Sequence, residues 1–317
     1  VSSDELLKPF LGVISDHRLK NIVSTIQTEQ NAIIRKPIEN DLIIQGVAGS
    51  GKTTVALHRI AYLAYNYKKI INNNQYLILA PNKFFIRYIS SILPDLDVGG
   101  IVEYDFESLA LKYIDEDLTL ISSEIDANFK TSMEIKSLID LYVENFEKAL
   151  IPDSDFSVEG FKIFSREHVM KVYYELSHKL YPTIKSRIDK TNSLLSKEIS
   201  RNSEMLITNL NIYINDRYDD IETLRKTREK ARTAIRSGCN SYLRSYFKTI
   251  NSKPSSMYLK FMKDIGRGNF KKFSKEDLTP IMYFKYKIYG SDLYDWYRHV
   301  AIDEAQDYND FTFYILK

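Results

Sequence analysis

The chain has a single cysteine, Cys239, in 317 residues. That excludes an internal disulfide and any metal site built on cysteine thiolates. An excess of one charge is also missing: 44 Lys and Arg stand against 42 Asp and Glu, a net of +2. No polybasic signature marks the whole chain, so a nucleic-acid surface has to come from local clustering. No apolar stretch approaches the ~20 residues of a membrane span. The opening Val1-Ser2-Ser3-Asp4-Glu5 has neither the basic nor the apolar region of a secretory leader. The expectation is an intracellular, cytoplasmic protein. What is present is ordinary, 44% hydrophobic and 27% charged, enough for about two domains with a sizeable core. There is no initiator methionine, and the chain stops at Lys317 in the apolar-rich run Phe311-Thr312-Phe313-Tyr314-Ile315-Leu316. Both features are those expected of a piece of a longer protein.

Glycine is rare too, yet Gly46, Gly49 and Gly51, three of only eleven, fall within six positions. They belong to Gly46-Val47-Ala48-Gly49-Ser50-Gly51-Lys52-Thr53-Thr54, which fits the phosphate-loop pattern G-x4-G-K-[ST]. Average composition gives that pattern by chance roughly once in a hundred chains of this length. The flanks lower the odds further. Asp41-Leu42-Ile43-Ile44-Gln45 reads as a short buried strand, and Thr53 to Tyr67, with Val55, Leu57, Ile60, Ala61 and Leu63, reads as a helix. The glycines let backbone N–H groups approach an anion where a Cβ would intrude, and the helix start adds its unsatisfied donors. Lys52 then reaches the β- and γ-phosphates of a nucleoside triphosphate, ATP, and the Thr53 hydroxyl ligates Mg²⁺.

A second motif lies near the C-terminus. His299-Val300-Ala301-Ile302 is a β-type run that delivers Asp303-Glu304 and then Ala305-Gln306-Asp307. At the C-terminal end of a parallel strand, Asp303 is placed to hold Mg²⁺ beside Thr53, and Glu304 to orient and deprotonate an attacking water. The chemistry is metal-assisted phosphoryl transfer, with Lys52 as the catalytic cation.

These residues resemble a known family. The loop followed by Leu57-His58-Arg59-Ile60-Ala61, together with Ile302-Asp303-Glu304-Ala305-Gln306-Asp307, is similar to the UvrD-like branch of superfamily 1 helicases. Thr28-Glu29-Gln30-Asn31-Ala32-Ile33-Ile34 resembles that family's adenine-reading motif, which implies that the Gln30 carboxamide pairs with the base. The resemblance also implies that Gln306 senses the γ-phosphate. Leu77-Ile78-Leu79-Ala80-Pro81-Asn82 with Phe84, Tyr88, Ile89, Leu93 and Pro94, then Pro280 to Tyr286 and Asp307-Tyr308-Asn309, are similar to the HelD group, helicase-like factors that release stalled bacterial RNA polymerase. The place of the family's strand-contacting Thr-Phe pair is taken by Asp105-Phe106. A carboxylate facing phosphate there would oppose ordinary strand tracking.

The implied fold class is α/β, a RecA-like parallel sheet flanked by helices and interrupted by a large, mostly helical insertion. The expected division is 1–105 for the first part of the ATPase domain, 106–279 for the insertion, and 280–317 for the second part. Within the insertion, Ile184, Ile188, Leu195, Ile199, Leu206, Leu210 and Ile221 keep an eleven-residue apolar repeat, and no Pro or Gly occurs from Thr183 to Arg236. This predicts an arm, either one helix of ~80 Å at 1.5 Å per residue or a hairpin broken at Asn215-Asp216. Arg225, Lys226, Arg228, Lys230, Arg232 and Arg236, with Arg244, are opposed there by Glu229 alone. They form a candidate contact for DNA or for RNA polymerase, balanced against a merely solvated face. Tyr242, Tyr246 and Phe247 beside them are candidates for base stacking or for core packing. A second RecA-like domain is expected elsewhere in the parent protein, so this chain alone is expected to bind ATP weakly and hydrolyse it very slowly. A duplex-unwinding repair-type helicase, and a P-loop ATPase acting as a protein-interaction module, are the alternatives.

Overall fold

A computed structural model describes residues 28–96, 98–122, 125–176, 178–215, 217, 220–247, 253–268, 272–290 and 297–316. The chain divides into two compact units, 1–115 with 292–309, and 116–291 with 310–317. Among the described residues no helix is long and apolar enough to cross a membrane.

The first unit is built on β1 (Tyr76–Ala80), an unbroken apolar run buried at every position. Such a run, with no polar alternation, suits a strand covered on both faces. It pairs in parallel with β2 (Val102–Asp105) on one side and with β5 (His299–Ile302) on the other; β3 (Phe156–Val158) and β4 (Phe161–Phe164) belong to the second unit. Register aligns Ala80 with Asp105 and Leu79 with Ile302, so the carboxyl ends of the three strands lie together. In open α/β sheets that is the end where ligands bind. Around the sheet stand α1 (Thr28–Ile34), α2 (Lys52–Asn66), α3 (Lys83–Ile92) and α4 (Phe106–Ile114). Helix α2 buries Val55, Leu57, Ile60, Ala61, Leu63 and Ala64, and its Leu57, Ile60 and Leu63 share a core with Tyr76, Ile78, Ile89, Leu93 and Val98.

The segment 41–45 is not a strand. It makes no ladder hydrogen bonds, and Ile43 is 92% exposed. Asp41 acts electrostatically on His299 at the start of β5, while Thr53 meets Asp303 just past its end. Apolar content alone cannot supply the partner whose N–H and C=O groups make a strand.

In the second unit, helix α5 (Ala127–Lys130) and α6 (Met133–Lys148) precede an antiparallel ribbon, β3 (Phe156–Val158) and β4 (Phe161–Phe164). Helices α7 (Arg166–Tyr174), α8 (Ile184–Arg201), α9 (Ser203–Asn215), α10 (Ile221–Arg236), α11 (Asn240–Tyr246), α12 (Pro254–Asp264), α13 (Leu278–Tyr289) and α14 (Asp310–Leu316) complete it. Its centre is α13, where Leu278, Ile281, Met282, Tyr283, Phe284 and Ile288 are all buried. Edge-on aromatic pairs link Phe284 to Tyr142 and Phe261, and Tyr283 to Phe311. Pro280 to Tyr286, expected with the returning part of the ATPase domain, thus form the core helix of the second unit, while Phe106 to Asp115, expected in the insertion, lie in the first.

The predicted single rod over 183–236 is instead three helices. Asn202 interrupts α8 and α9, and α10 turns back to contact both. Asn215 ends α9 as the hairpin reading requires; Asp216 lies outside the described residues. The apolar repeat is buried from Ile184 to Leu210, but Ile221 is 81% exposed. It belongs to the returning helix, so the period of the first two no longer applies to it.

Candidate functional site

The loop gathers its donors by backbone conformation. Gly49 (φ 78°) and Gly51 (φ 81°) lie in the left-handed region, where a side chain is strained. A Cβ on Gly46 would run into the Ser50 side chain. Gly51 starts α2 and, having no side chain, does not itself cap the first-turn N–H groups. Lys52 folds over the loop, its Nζ donating to Gly46 O at 3.0 Å and Val47 O at 3.2 Å. Those two carbonyl bonds hold the ammonium at the loop's mouth, where phosphate oxygens are its better partners. Val47, Ala48 and Ser50 form the exposed rim, closed by Ser50 N donating to Val47 O, and Thr54 is exposed on the first turn of α2.

Strand β5 brings the acids. Asp303 N donates to Leu79 O at 2.9 Å, extending the β1–β5 ladder by one bond and fixing the Asp303 carboxylate against α2. Thr53 Oγ1 lies 2.9 and 3.1 Å from its two oxygens and donates to them, across 250 residues of sequence. Glu304 follows in the left-handed region at φ 49°, a conformation that costs a non-glycine residue about 1 kcal/mol or more. The turn swings Glu304 off the strand axis into a short 3-10 turn, Ala305–Asp307, where Gln306 Nε2 donates to the Glu304 carboxylate. Behind the site, the Tyr308 ring meets Phe106 edge-on and its hydroxyl lies 3.4 Å from Ala80 O. Burial, with Asp105, Asp307 and Asp303 nearby, pushes that hydroxyl up to about 12. The sequence singled out Tyr308 only by resemblance; its place beside β1 comes from the register of β5.

Gln30, on α1, donates from Nε2 to Ser50 O at 3.2 Å. All the residues expected to bind nucleotide therefore lie on or against one loop. A metal fits there too. Thr53 and Asp303 offer a hydroxyl and a carboxylate in contact, the hard oxygen donors that Mg²⁺ takes alongside phosphate oxygens and water. Among the described residues no group of three or more His, Cys, Asp and Glu could hold a metal by itself.

A match to the family model of the UvrD/REP helicase N-terminal domain covers residues 26–317. The chain belongs to the UvrD-like helicases. It is an ATP-driven helicase motor domain of that family, with a RecA-like fold that carries a helical insertion. No curated protein gives a significant match.

In this helicase domain Asp105 is not a repelling acid. Its buried carboxylate caps α4, accepting from Ser108 N at 2.6 Å. A threonine at this position would cap the helix in the same way, so the departure from the family pattern leaves the local backbone intact. The basic cluster is also more neutralised than the sequence suggested. Lys226 pairs with Glu222 at 2.6 Å, and Lys230 with Glu159, from the β3–β4 turn, at 2.7 Å. Arg228 bonds Asn215, and Arg232 Nε donates to Asn211 at 3.0 Å, tying α10 to α9. Arg225 and Arg236 remain exposed. The nearby aromatics are structural: Tyr242 bonds Glu159, Tyr246 donates to Ser154 O at 2.6 Å, and Phe247 is buried.

His299 makes β5 sensitive to pH. Burial, with Arg59 close by, pulls its imidazole from 6.5 down to about 4, against a small opposing pull from Asp41. Between those values the unfolded chain binds a proton that the folded chain does not. Stability from this residue is therefore complete above about pH 6.5 and is lost as pH falls toward 4. We expect wild type to lose about 2 kcal/mol more than His299→Gln between pH 7.5 and pH 5, by urea unfolding. Parallel pH profiles for the two proteins would contradict it.

Proposed function

We propose that this domain binds ATP with Mg²⁺ on Gly46–Thr54 and hydrolyses it by in-line attack of water. Lys52 neutralises the β- and γ-phosphates, and Thr53 with Asp303 holds the metal, which supplies charge neutralisation at the phosphates. Glu304 takes the proton from the attacking water, Gln306 next to it responds to loss of the γ-phosphate, and Gln30 reads adenine. The observation that carries this reading is the contact between Thr53 and Asp303, which joins the two motifs at one point. The loop contributes one cation, Lys52. Charge on the transferring phosphoryl group needs more, and a second RecA-like domain of the parent protein supplies it in this reading.

The parent's finer role is that of the HelD group, using ATP to remodel or release RNA polymerase in the cytoplasm, with the helical insertion as the arm. The supporting observations are the sequence resemblance and the exposed Arg225 and Arg236 on α10. Titration of the chain with ATP and Mg²⁺ tests the core of the proposal. Weak binding that disappears in Lys52→Ala, with turnover far below the 1–10³ s⁻¹ common among enzymes, is expected. Turnover within that range by this chain alone would overturn the requirement for a second domain. Capture of core RNA polymerase, reduced by reversing Arg225 and Arg236 to Glu, tests the arm; undiminished capture removes those residues from the account.

A further inference from the structure

Arg59 lies on α2, seven residues after Lys52 and about two turns along the same helix. It is an arginine with only 5% of its surface exposed, and among the described residues it is bonded to no carboxylate. Its guanidinium is spent on backbone. Nη1 lies 2.6 Å from Lys36 O, 3.2 Å from Ile33 O and 3.3 Å from Ile34 O, and Nη2 donates to Pro37 O at 3.0 Å. Two of these are carbonyls of the last turn of α1, of which Ile33 O also accepts from Lys36 N at 3.3 Å, and two belong to the turn that follows. A cation at a helix C-terminus is favourable in itself. Four carbonyls converging on one planar fork is a task for arginine, which presents rigid donors in a plane, and not for the three rotatable donors of lysine.

Helix α1 has seven residues. A helix of that length is not stable by itself, so what holds it decides where it stands. Its far end carries Gln30, tied to Ser50 O of the phosphate loop. Its near end is fixed by Arg59. Helix α2 thus grips the phosphates with its first residues and, two turns later, grips the element that meets the base.

We propose that Arg59 is the positioning residue for base selection: by clamping residues 33–37 to α2 it sets the distance between the Gln30 side chain and the phosphate loop, and so determines discrimination between adenine and other bases. This rests on the reading of Gly46–Thr54 as the triphosphate site and of α1 as the base-facing element. Loss of the clamp leaves the loop able to bind phosphates and lets α1 drift, so the effect falls on the base and not on the triphosphate.

The test is equilibrium binding of ATP, GTP and inorganic tripolyphosphate, each with Mg²⁺, to the full chain and to Arg59→Met, Arg59→Lys and Gln30→Ala. In Arg59→Met the preference for ATP over GTP is expected to fall about tenfold, the worth of one or two base hydrogen bonds, with tripolyphosphate affinity unchanged. Arg59→Lys, which keeps the charge and most of the buried stem, is expected to fall between wild type and Arg59→Met. Equal losses for ATP, GTP and tripolyphosphate in both arginine variants would show a general structural role and overturn the proposal. So would full ATP preference in either variant that still binds tripolyphosphate. Gln30→Ala separates the two ideas: if it keeps the ATP preference while Arg59→Met loses it, Gln30 is not the reader but the clamp stands. If Gln30→Ala loses the preference and Arg59→Met keeps it, the reader stands and the clamp falls.

Discussion

Replacing Glu304 by Gln is expected to lower the rate of ATP hydrolysis about 10²–10⁴-fold and to leave ATP affinity unchanged. The measurement is single-turnover hydrolysis with the chain in excess over ATP, since turnover by this domain alone is expected to be slow. Glutamine keeps the size of the side chain and an oxygen to accept from Gln306, but it cannot take a proton from water. Asp303, Thr53 and Lys52 are untouched, so the phosphates are still held. The left-handed backbone at Glu304 sharpens the prediction. Glu304→Gly is expected to abolish hydrolysis as well while relieving about 1 kcal/mol of local strain. Activity and stability then move in opposite directions, as at a site where conformation is held for chemistry. A Glu304→Gln protein hydrolysing ATP at the wild-type rate would remove this residue from the mechanism.

The second large effect is on stability and lies in the other unit. Asp277 is fully buried and Lys130 nearly so, with Nζ 3.0 Å from Oδ1. The same carboxylate accepts from Ser274 N at 2.7 Å and Ser274 Oγ at 3.0 Å, and from the Tyr258 hydroxyl. Burial and the neighbouring Asp277 raise the Tyr258 pKa far above its ordinary value, so that its proton stays available for donation. One carboxylate therefore ties α5, α12 and the turn into α13 together. Removing one member of such a pair leaves a buried charge without its partner. Lys130→Met is expected to destabilise the protein by about 3–5 kcal/mol in urea unfolding. The double variant Lys130→Met with Asp277→Leu recovers only part of that, because Ser274 N and the Tyr258 hydroxyl then lose their acceptor. A loss under about 1 kcal/mol for Lys130→Met would mean that water reaches the pair.

The placing of the candidate site was legible in the sequence because its motifs are local. A phosphate loop has to be contiguous, and an acid after an apolar run has to emerge at a strand's end; both held their spacing, and the fold brought Thr53 to Asp303. What failed was whatever depends on contacts that composition does not announce. Asp41 to Gln45 has the composition of a strand and lacks the neighbour that would make it one. Asp105 read as a charge directed outward, although its partner was three residues away in its own helix. Lys230 looked unopposed because Glu159 lies about seventy positions earlier. Asn202 interrupts a helix with neither Pro nor Gly to announce it. Arg59 was noticed only within a family pattern, and its four carbonyl partners could not be read from it.

The sheet also has a timetable. Strand β1 gains β2 as soon as Val102–Asp105 is made, but its other edge waits for β5, about 220 residues later. At ribosomal speeds of about 5–20 residues per second, that interval is roughly ten to forty seconds. During it a fully apolar strand presents unpaired N–H and C=O groups, the template on which other chains aggregate. The nucleotide site is likewise unmade, because Asp303 has not left the ribosome. The insertion is therefore a delay as well as a domain, and expression at lower temperature with a chaperone holding the nascent chain should favour soluble protein for a reason set by strand order.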